Sequence, residues 1–188
     1  MKSMDIKIVS STDRPGSNTR IFSEHVKNKY KEYADLDAEV ICLMDFPLAD
    51  VQGGVYGSEP ASVIEFREPL VKADGLIFVI PEYNGGFPGI LKMFIDYLPF
   101  PKAFQKMPIA YIGIASGAFG ALRPVEQFQM VAGYRNALSF PERVFVPRFN
   151  KEFDPELGLI DPFKRDLLKS QIINFTEFVA ANREASLA

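Results

Sequence analysis

Apolar residues in this chain gather into five short runs, 6–11, 39–44, 75–81, 109–116 and 143–146, rich in β-branched and aromatic side chains. A run that stays apolar at successive positions suits a strand covered on both faces, as in a parallel sheet under helices. Between the runs the spacing becomes helical. Residues 19–33 set Phe22, Val26, Tyr30 and Tyr33 along one stripe, and residues 61–72 carry a charged outer face. Ile90, Leu91, Phe94, Ile95 and Leu98 repeat as a buried helical face, residues 124–138 follow, and 162–182 close the pattern with Phe163, Leu167, Ile172, Phe175 and Val179.

Strand and helix thus alternate five times, with no internal repeat, charge block or linker. This order predicts a single α/β domain over residues 1–188: a three-layer α/β/α sandwich with right-handed crossovers. Five strands fit a five-stranded parallel sheet in the flavodoxin-like order 2-1-3-4-5 better than the six strands of a full dinucleotide fold. Ligands of such sheets sit outside the carboxyl ends of the strands, where the strand order reverses. The loops after the first, third and fourth strands are therefore the place to look for chemistry.

Composition narrows the chemistry. Apolar residues make up 47% of the 188, enough for a substantial core, and the formal net charge is -3. No strongly basic face is expected, which argues against nucleic acid as a partner. A single cysteine, Cys42, excludes an internal disulfide, and a single histidine, His25, excludes a multi-histidine zinc site. Cys42 lies in the apolar run 40–43 and reads as a small core side chain, and His25 reads as a helix-face residue beside Phe22 and Val26. Residues 1–7 carry charge but no apolar leader, and nothing approaches the ~20 apolar residues of a membrane span. A cytoplasmic protein with no membrane partner is the expectation.

The loop after the first strand supplies hydroxyls at Ser11, Thr12, Ser17 and Thr19, a cation at Arg14, and the N–H groups of a helix start. A phosphate dianion calls for such a set, and each charge-assisted hydrogen bond contributes about 1.5–3 kcal/mol. A plain helix cap by Ser17 or Asn18 accounts for part of the loop but needs neither Arg14 nor the upstream hydroxyls. Neither G-x-G-x-x-G nor G-x-x-x-x-G-K-[ST] is present, so dinucleotide-fold and P-loop readings fail, and Asp45 reads as a turn residue. The loop after the third strand, from Pro81 and Glu82 through Tyr83, Asn84, Gly85 and Gly86, offers an aromatic face and backbone able to approach a flat ligand. The third loop, from Ser116 and Gly117 through Gly120 to Arg123, again joins a strand to a helix.

On these residues the chain resembles the NAD(P)H-dependent FMN reductases, a family that includes related quinone and azo-dye reductases with a flavodoxin-like fold. The family's first loop resembles G-S-x-R-x-x-S, matched by Ser11, Arg14 and Ser17 with one extra residue, Asp13. Its second motif resembles P-E-Y-N-x-S-x-P-G-x-L-K-x-x-I-D, which residues 81–96 follow almost throughout. The third resembles S-x-G-x-x-G-G-x-R, followed in part by Ser116, Gly120 and Arg123. The chain departs at Ser10 and Ala121, where the family has glycine, and at Gly86, where it has serine. The resemblance implies that Ser11, Arg14, Ser17, Asn18 and Thr19 hold the phosphate of FMN. It likewise implies that Pro81, Glu82, Tyr83, Asn84 and Gly85 line its isoalloxazine and that Ser116, Gly117 and Gly120 meet its pyrimidine edge. Hydride then passes from NAD(P)H, the co-substrate, through flavin N5 to a small-molecule acceptor such as a quinone, azo compound or free flavin.

No side chain need act as nucleophile or general base, and no metal is implied. A flavodoxin-like electron carrier and a non-enzymatic interaction protein are the alternatives on the same fold. Arg14 and Arg123 are candidates for a nicotinamide nucleotide's 2′-phosphate, and residues 53–60 for a mobile lid or a plain connection. The stretch carrying Phe94, Tyr97, Leu98, Phe100 and Phe104 resembles the family's dimer surface, so a homodimer or homotetramer is expected. Core packing accounts for Phe94 and Leu98 more readily than for Phe100 and Phe104.

Overall fold

Every strand of the main sheet runs parallel to its neighbours. In the computed structural model, which describes residues 4–51 and 53–187, β1 (Ile6–Ser10) lies between β2 (Glu39–Cys42) and β3 (Gly75–Pro81). β3 pairs with β4 (Pro108–Ile114), and β4 pairs with two short segments, β5 (Leu138–Ser139) and β6 (Val144–Val146). The expected order 2-1-3-4-5 holds, with the fifth place shared by β5 and β6.

Helices cover both faces. α1 (Asn18–Ala34) and α6 (Pro162–Leu187) lie on one, and α2 (Ala61–Lys72), α3 (Gly89–Asp96) and α4 (Leu122–Tyr134) on the other. The strand alternation sorts the core between them. Ile8, Ile77, Val79 and Ile112 pack with Phe22 and Val26 of α1 and Ile172 and Phe175 of α6. Val9, Phe78, Ile80 and Tyr111 pack with Leu70 of α2, Phe94 of α3 and Phe128 of α4. With both faces covered, all seven residues of β3 and all seven of β4 are buried, which is why these runs read as continuously apolar.

Several boundaries differ from expectation for local reasons. The fourth helix ends at Tyr134 instead of reaching residue 138, because Asn136 turns left-handed at φ 61° and stops it. Leu138 then enters β5. The expected fifth strand is present as β6; β5 is an unforeseen pair of residues before it, separated from it by Pro141, which has no N–H for a ladder. Between β6 and α6 lies an unforeseen insert, the short helix α5 (Phe149–Glu152) and a hairpin of β7 (Phe153–Asp154) and β8 (Gly158–Leu159). The expected dimer stretch is mostly core: Phe94, Tyr97, Leu98 and Phe104 are all buried, and of the five only Phe100 is exposed. Residues 53–60 are largely exposed, anchored where Tyr56 stacks on Tyr97, the residue after α3, at 4.7 Å between ring centroids.

Arg135 closes the far end of α3. Its buried guanidinium donates to the carbonyls of Ile95, Leu98 and Pro99 at 3.0–3.1 Å and lies over Phe104. These carbonyls lie at and just beyond the end of α3, where a cation suits the helix dipole.

His25 takes the structural role expected of it. Its ring stacks on Phe22, meets Phe153 edge-on at 5.1 Å, and abuts Gly158, where an added Cβ would stand 2.6 Å from the imidazole. Burial, with Lys29 adding repulsion, pushes its pKa from 6.5 down to about 4. The folded chain therefore prefers the neutral imidazole, while the unfolded chain protonates near 6.5. The contribution is complete above pH 6.5 and is lost as pH falls toward 4. Melting temperatures measured across that window should fall by roughly 5 °C more in the wild type than in His25→Gln.

Candidate functional site

At the carboxyl end of the sheet, β1 and β3 are neighbours, yet their chains depart to helices on opposite faces, and a crevice opens between them. It is a cleft of about 420 Å³ lined from all three expected loops. Arg14, Ser17, Asn18 and Thr19 come from the first, Pro81, Glu82 and Tyr83 from the second, and Ser116 and Gly117 from the third. Gly16, Ile114, Ala115, Ala118, Phe119 and Phe149 complete it.

The first loop is shaped by turns. Ser11 still donates its N–H to Val79 across the sheet, and Thr12 N–H turns back to the Ser10 carbonyl. Gly16, at φ 63°, delivers the chain to the start of α1. Ser17 caps that helix, accepting from Arg20 N–H at 3.2 Å. The capping and anion-binding roles are compatible, because an accepting hydroxyl keeps its own proton to donate. The N–H groups of Asn18 and Thr19 have no backbone acceptor among the described residues, as expected at a helix start. Arg14 is exposed and has no carboxylate within ion-pair distance among the described residues.

In the second loop, Asn84 and Gly85 have φ of 52° and 78°, and Tyr83 and Gly86 exchange both backbone hydrogen bonds across them. This two-residue hairpin is the turn that an Asn-Gly pair favours. It faces Tyr83 toward the cleft but uses the Gly86 N–H internally and leaves Asn84 and Gly85 off the cleft wall. Ser11 is also outside the lining: it is buried, and its hydroxyl donates to the Val9 carbonyl. Gly120 lies beneath the third loop, where a Cβ would meet the Pro147 nitrogen at 3.0 Å. The structure thus brings nine of the thirteen expected residues onto one cleft, and Ser11, Asn84, Gly85 and Gly120 shape the loops behind it.

Where the chain departs from the family pattern, the structure shows what each residue meets. Ala121 adopts φ 65° at the head of α4, a left-handed conformation that glycine enters more easily. Ser10 buries a hydroxyl with no hydrogen-bond partner among the described residues. Gly86 lies where a Cβ would come within 3.2 Å of Gln127 Oε1.

Contacts between loops form a closed circuit around the cleft. Thr12 and Tyr83 share a 2.8 Å hydrogen bond joining the first loop to the second. Glu82 and Arg123 approach to 3.7 Å, joining the second to the third, with Arg123 also lying 4.9 Å over the exposed Phe119 ring. The backbone N–H groups of Arg148 and Phe149 donate to Gly117 and Ala115, and Asn150 accepts from Asn18 at 2.9 Å, returning to the first loop. Phe149 and its neighbours gave no signal in the sequence, because they reach the cleft only through the insert's packing.

The donor set fits a phosphate-bearing, planar cofactor. An open helix start, the Ser17 hydroxyl and Arg14 meet a dianion at one end. Tyr83 and Phe119 supply aromatic surface, and the N–H groups of Ser116, Gly117 and Ala118, which have no backbone acceptors among the described residues, supply donors for a polar edge.

Comparison with known proteins agrees. A family model described as NADPH-dependent FMN reductase matches residues 4–151. The chain is 31% identical over 140 residues to an NAD(P)H-dependent FMN reductase of Pseudomonas aeruginosa, covering 69% of this chain and 75% of that one. It is 29% identical over 141 residues to a quinone reductase of Escherichia coli, covering 73% and 75%. Among solved structures, the flavoenzyme NAD(P)H:(acceptor) oxidoreductase FerB of Paracoccus denitrificans superposes with a TM-score of 0.75 at 18% identity, covering 96% of this chain and 98% of that one. That likeness speaks to the fold.

The third loop depends on Gly113 in β4, since a Cβ there would stand 2.4 Å from the Gly120 carbonyl and 2.8 Å from the Phe145 ring. Gly113→Ala should cost about 3 kcal/mol, read from the urea midpoint.

Proposed function

This chain belongs to the NADPH-dependent FMN reductase family, and on that premise we propose that it holds FMN in the three-loop cleft and uses NAD(P)H to reduce a quinone, an azo compound or free flavin. The observation that carries this reading is the convergence of an open helix start, a cation and aromatic surface on one crevice at the strand-order switch. FMN, when bound, supplies the hydride chemistry, and the protein supplies orientation and electrostatics.

Arg14, the N–H groups of Asn18 and Thr19 and the Ser17 hydroxyl neutralise and hold the phosphate. Tyr83, with Pro81 and Glu82, walls one side of the ring system. The N–H groups of Ser116 and Gly117 hold its polar edge, where a donor stabilises charge gained on reduction. Phe149 and Phe119 keep the flanks apolar. Arg123 is a further cation at the mouth for an anionic nucleotide.

The decisive experiment is an absorption spectrum of the protein reconstituted with FMN, before and after NADPH under nitrogen. Bound flavin that bleaches within seconds supports the reductase. Flavin that stays oxidised with both NADPH and NADH favours an electron carrier, and no flavin uptake overturns the reading. Arg14→Ala should weaken FMN binding about tenfold or more through loss of a charge-assisted contact, measured by flavin fluorescence.

We assign the chain a homodimeric state in the cytoplasm. Met130 and Tyr134, one turn apart on α4, are 69% and 80% exposed, and Phe100 packs near Tyr134 at 6.4 Å between centroids, forming an apolar face suited to a second copy. No helix among the described residues is long and apolar enough to cross a membrane, and Cys42 is a buried free thiol, which suits a reducing compartment. Sedimentation at micromolar concentration should give a dimer for the wild type and a monomer for the double variant Met130→Glu, Tyr134→Glu.

A further inference from the structure

Thr12 has a role that the motif comparison does not give it. It lies beside the inserted Asp13, in the part of the first loop where the register departs from the family pattern. The backbone turn at Ser11 sets Thr12 with its N–H directed back to Ser10 at 2.9 Å and its side chain fully buried between the first two loops. Thr12 Oγ1 accepts the Arg14 N–H at 3.3 Å and lies 2.8 Å from the Tyr83 phenol oxygen.

A buried hydroxyl must place its proton on an acceptor, or a desolvated donor goes unmet. Among the described residues the Arg14 nitrogen is a donor and is already directed at Thr12, so the phenol oxygen of Tyr83 is the acceptor left to it. Thr12 therefore donates to Tyr83. The phenol, accepting on one lone pair, keeps its own proton free, and Tyr83 stands in the cleft wall.

We propose that Thr12 is a positioning residue that orients the Tyr83 phenol as a hydrogen-bond donor to an acceptor oxygen of the cofactor bound in the cleft. The inference rests on the FMN reading above. It ties the phosphate loop to the flavin loop through one buried hydroxyl, so that the backbone carrying Arg14 and the ring of Tyr83 are set together. The circuit's other side-chain links between loops are more exposed: Glu82 with Arg123 is looser at 3.7 Å, and Asn18 meets Asn150 at the surface. The link through Thr12 is thus the one of the three with a fully buried member.

The test is a titration of apo-protein with FMN, followed by flavin fluorescence, for the wild type, Thr12→Val, Thr12→Ser, Tyr83→Phe and the double variant Thr12→Val, Tyr83→Phe. Thr12→Val and Tyr83→Phe should each weaken binding about 3- to 10-fold. The double variant should bind no more weakly than Tyr83→Phe alone, and Thr12→Ser should stay within about twofold of wild type. If Thr12→Val costs as much in the Tyr83→Phe background as in the wild type, Thr12 serves only the Arg14 turn and the proposal is overturned. Wild-type affinity in Thr12→Val, or failure of Thr12→Ser to restore it, overturns the proposal as well. Thr12→Ala provides a second hydroxyl-free variant, so that a folding defect peculiar to valine does not decide the matter. Absence of FMN uptake by the wild type overturns the cofactor reading and this inference together, whereas uptake with additive variants overturns the inference alone.

Discussion

The parallel pairing of β1, β3 and β4, buried on both faces, is the constraint from which the rest of this molecule follows. Inside such a sheet every backbone N–H and carbonyl must find its partner in the ladder, because water cannot reach it. The side chains have only apolar company, and β3 and β4 are buried along their whole length. Polar function is thereby pushed to the strand ends. At the carboxyl ends the chain leaves the ladder to enter helices, and each helix start brings N–H groups without internal acceptors. The cleft lies where β1 and β3 feed helices on opposite faces, so its position is a consequence of the strand order.

Order in that cleft comes from a ring of modest contacts. The Thr12–Tyr83 hydrogen bond, the Glu82–Arg123 approach, the backbone bonds from Arg148 and Phe149, and the Asn18–Asn150 pair join neighbouring loops in turn. None is strong alone, and exposed pairs such as the arginine contact contribute little to stability. Their combined effect is to fix loops relative to one another, which matters for a site that works by orientation. Gly113 permits the same closure from below, since only a residue without Cβ lets the third loop fold so near β4.

Charge is distributed with the same economy. The chain as a whole is acidic at -3, yet Arg14 lines the cleft, and Arg123 approaches Glu82 of its wall to 3.7 Å. A cation placed at a cleft can act on an anionic ligand whatever the sign of the net charge. Arg135, by contrast, is spent inside the fold: buried just past the end of α4, it donates to carbonyls at and beyond the end of α3 and does not line the cleft. Sequence alone does not distinguish these arginines, because the distinction lies in what surrounds each.

Much of this protein was legible in its sequence. Continuous apolar runs gave the buried strands, and helical spacing gave the two covering layers. Residues 81–96 carried the most specific motif, and Asn84-Gly85 marked its turn. These features are local or periodic, so a chain read in order reveals them. What only the tertiary structure decided depends on contacts between distant residues. Phe104 was core rather than surface because Arg135 and β3 pack against it. Ser11 faced inward because β3 offered its N–H an acceptor, while Phe149 reached the cleft through an insert more than a hundred residues beyond the loop it faces. Sequence fixes which groups a segment can present, but whether a group is spent on the fold or left free for a ligand is settled by the partner that packing brings to it.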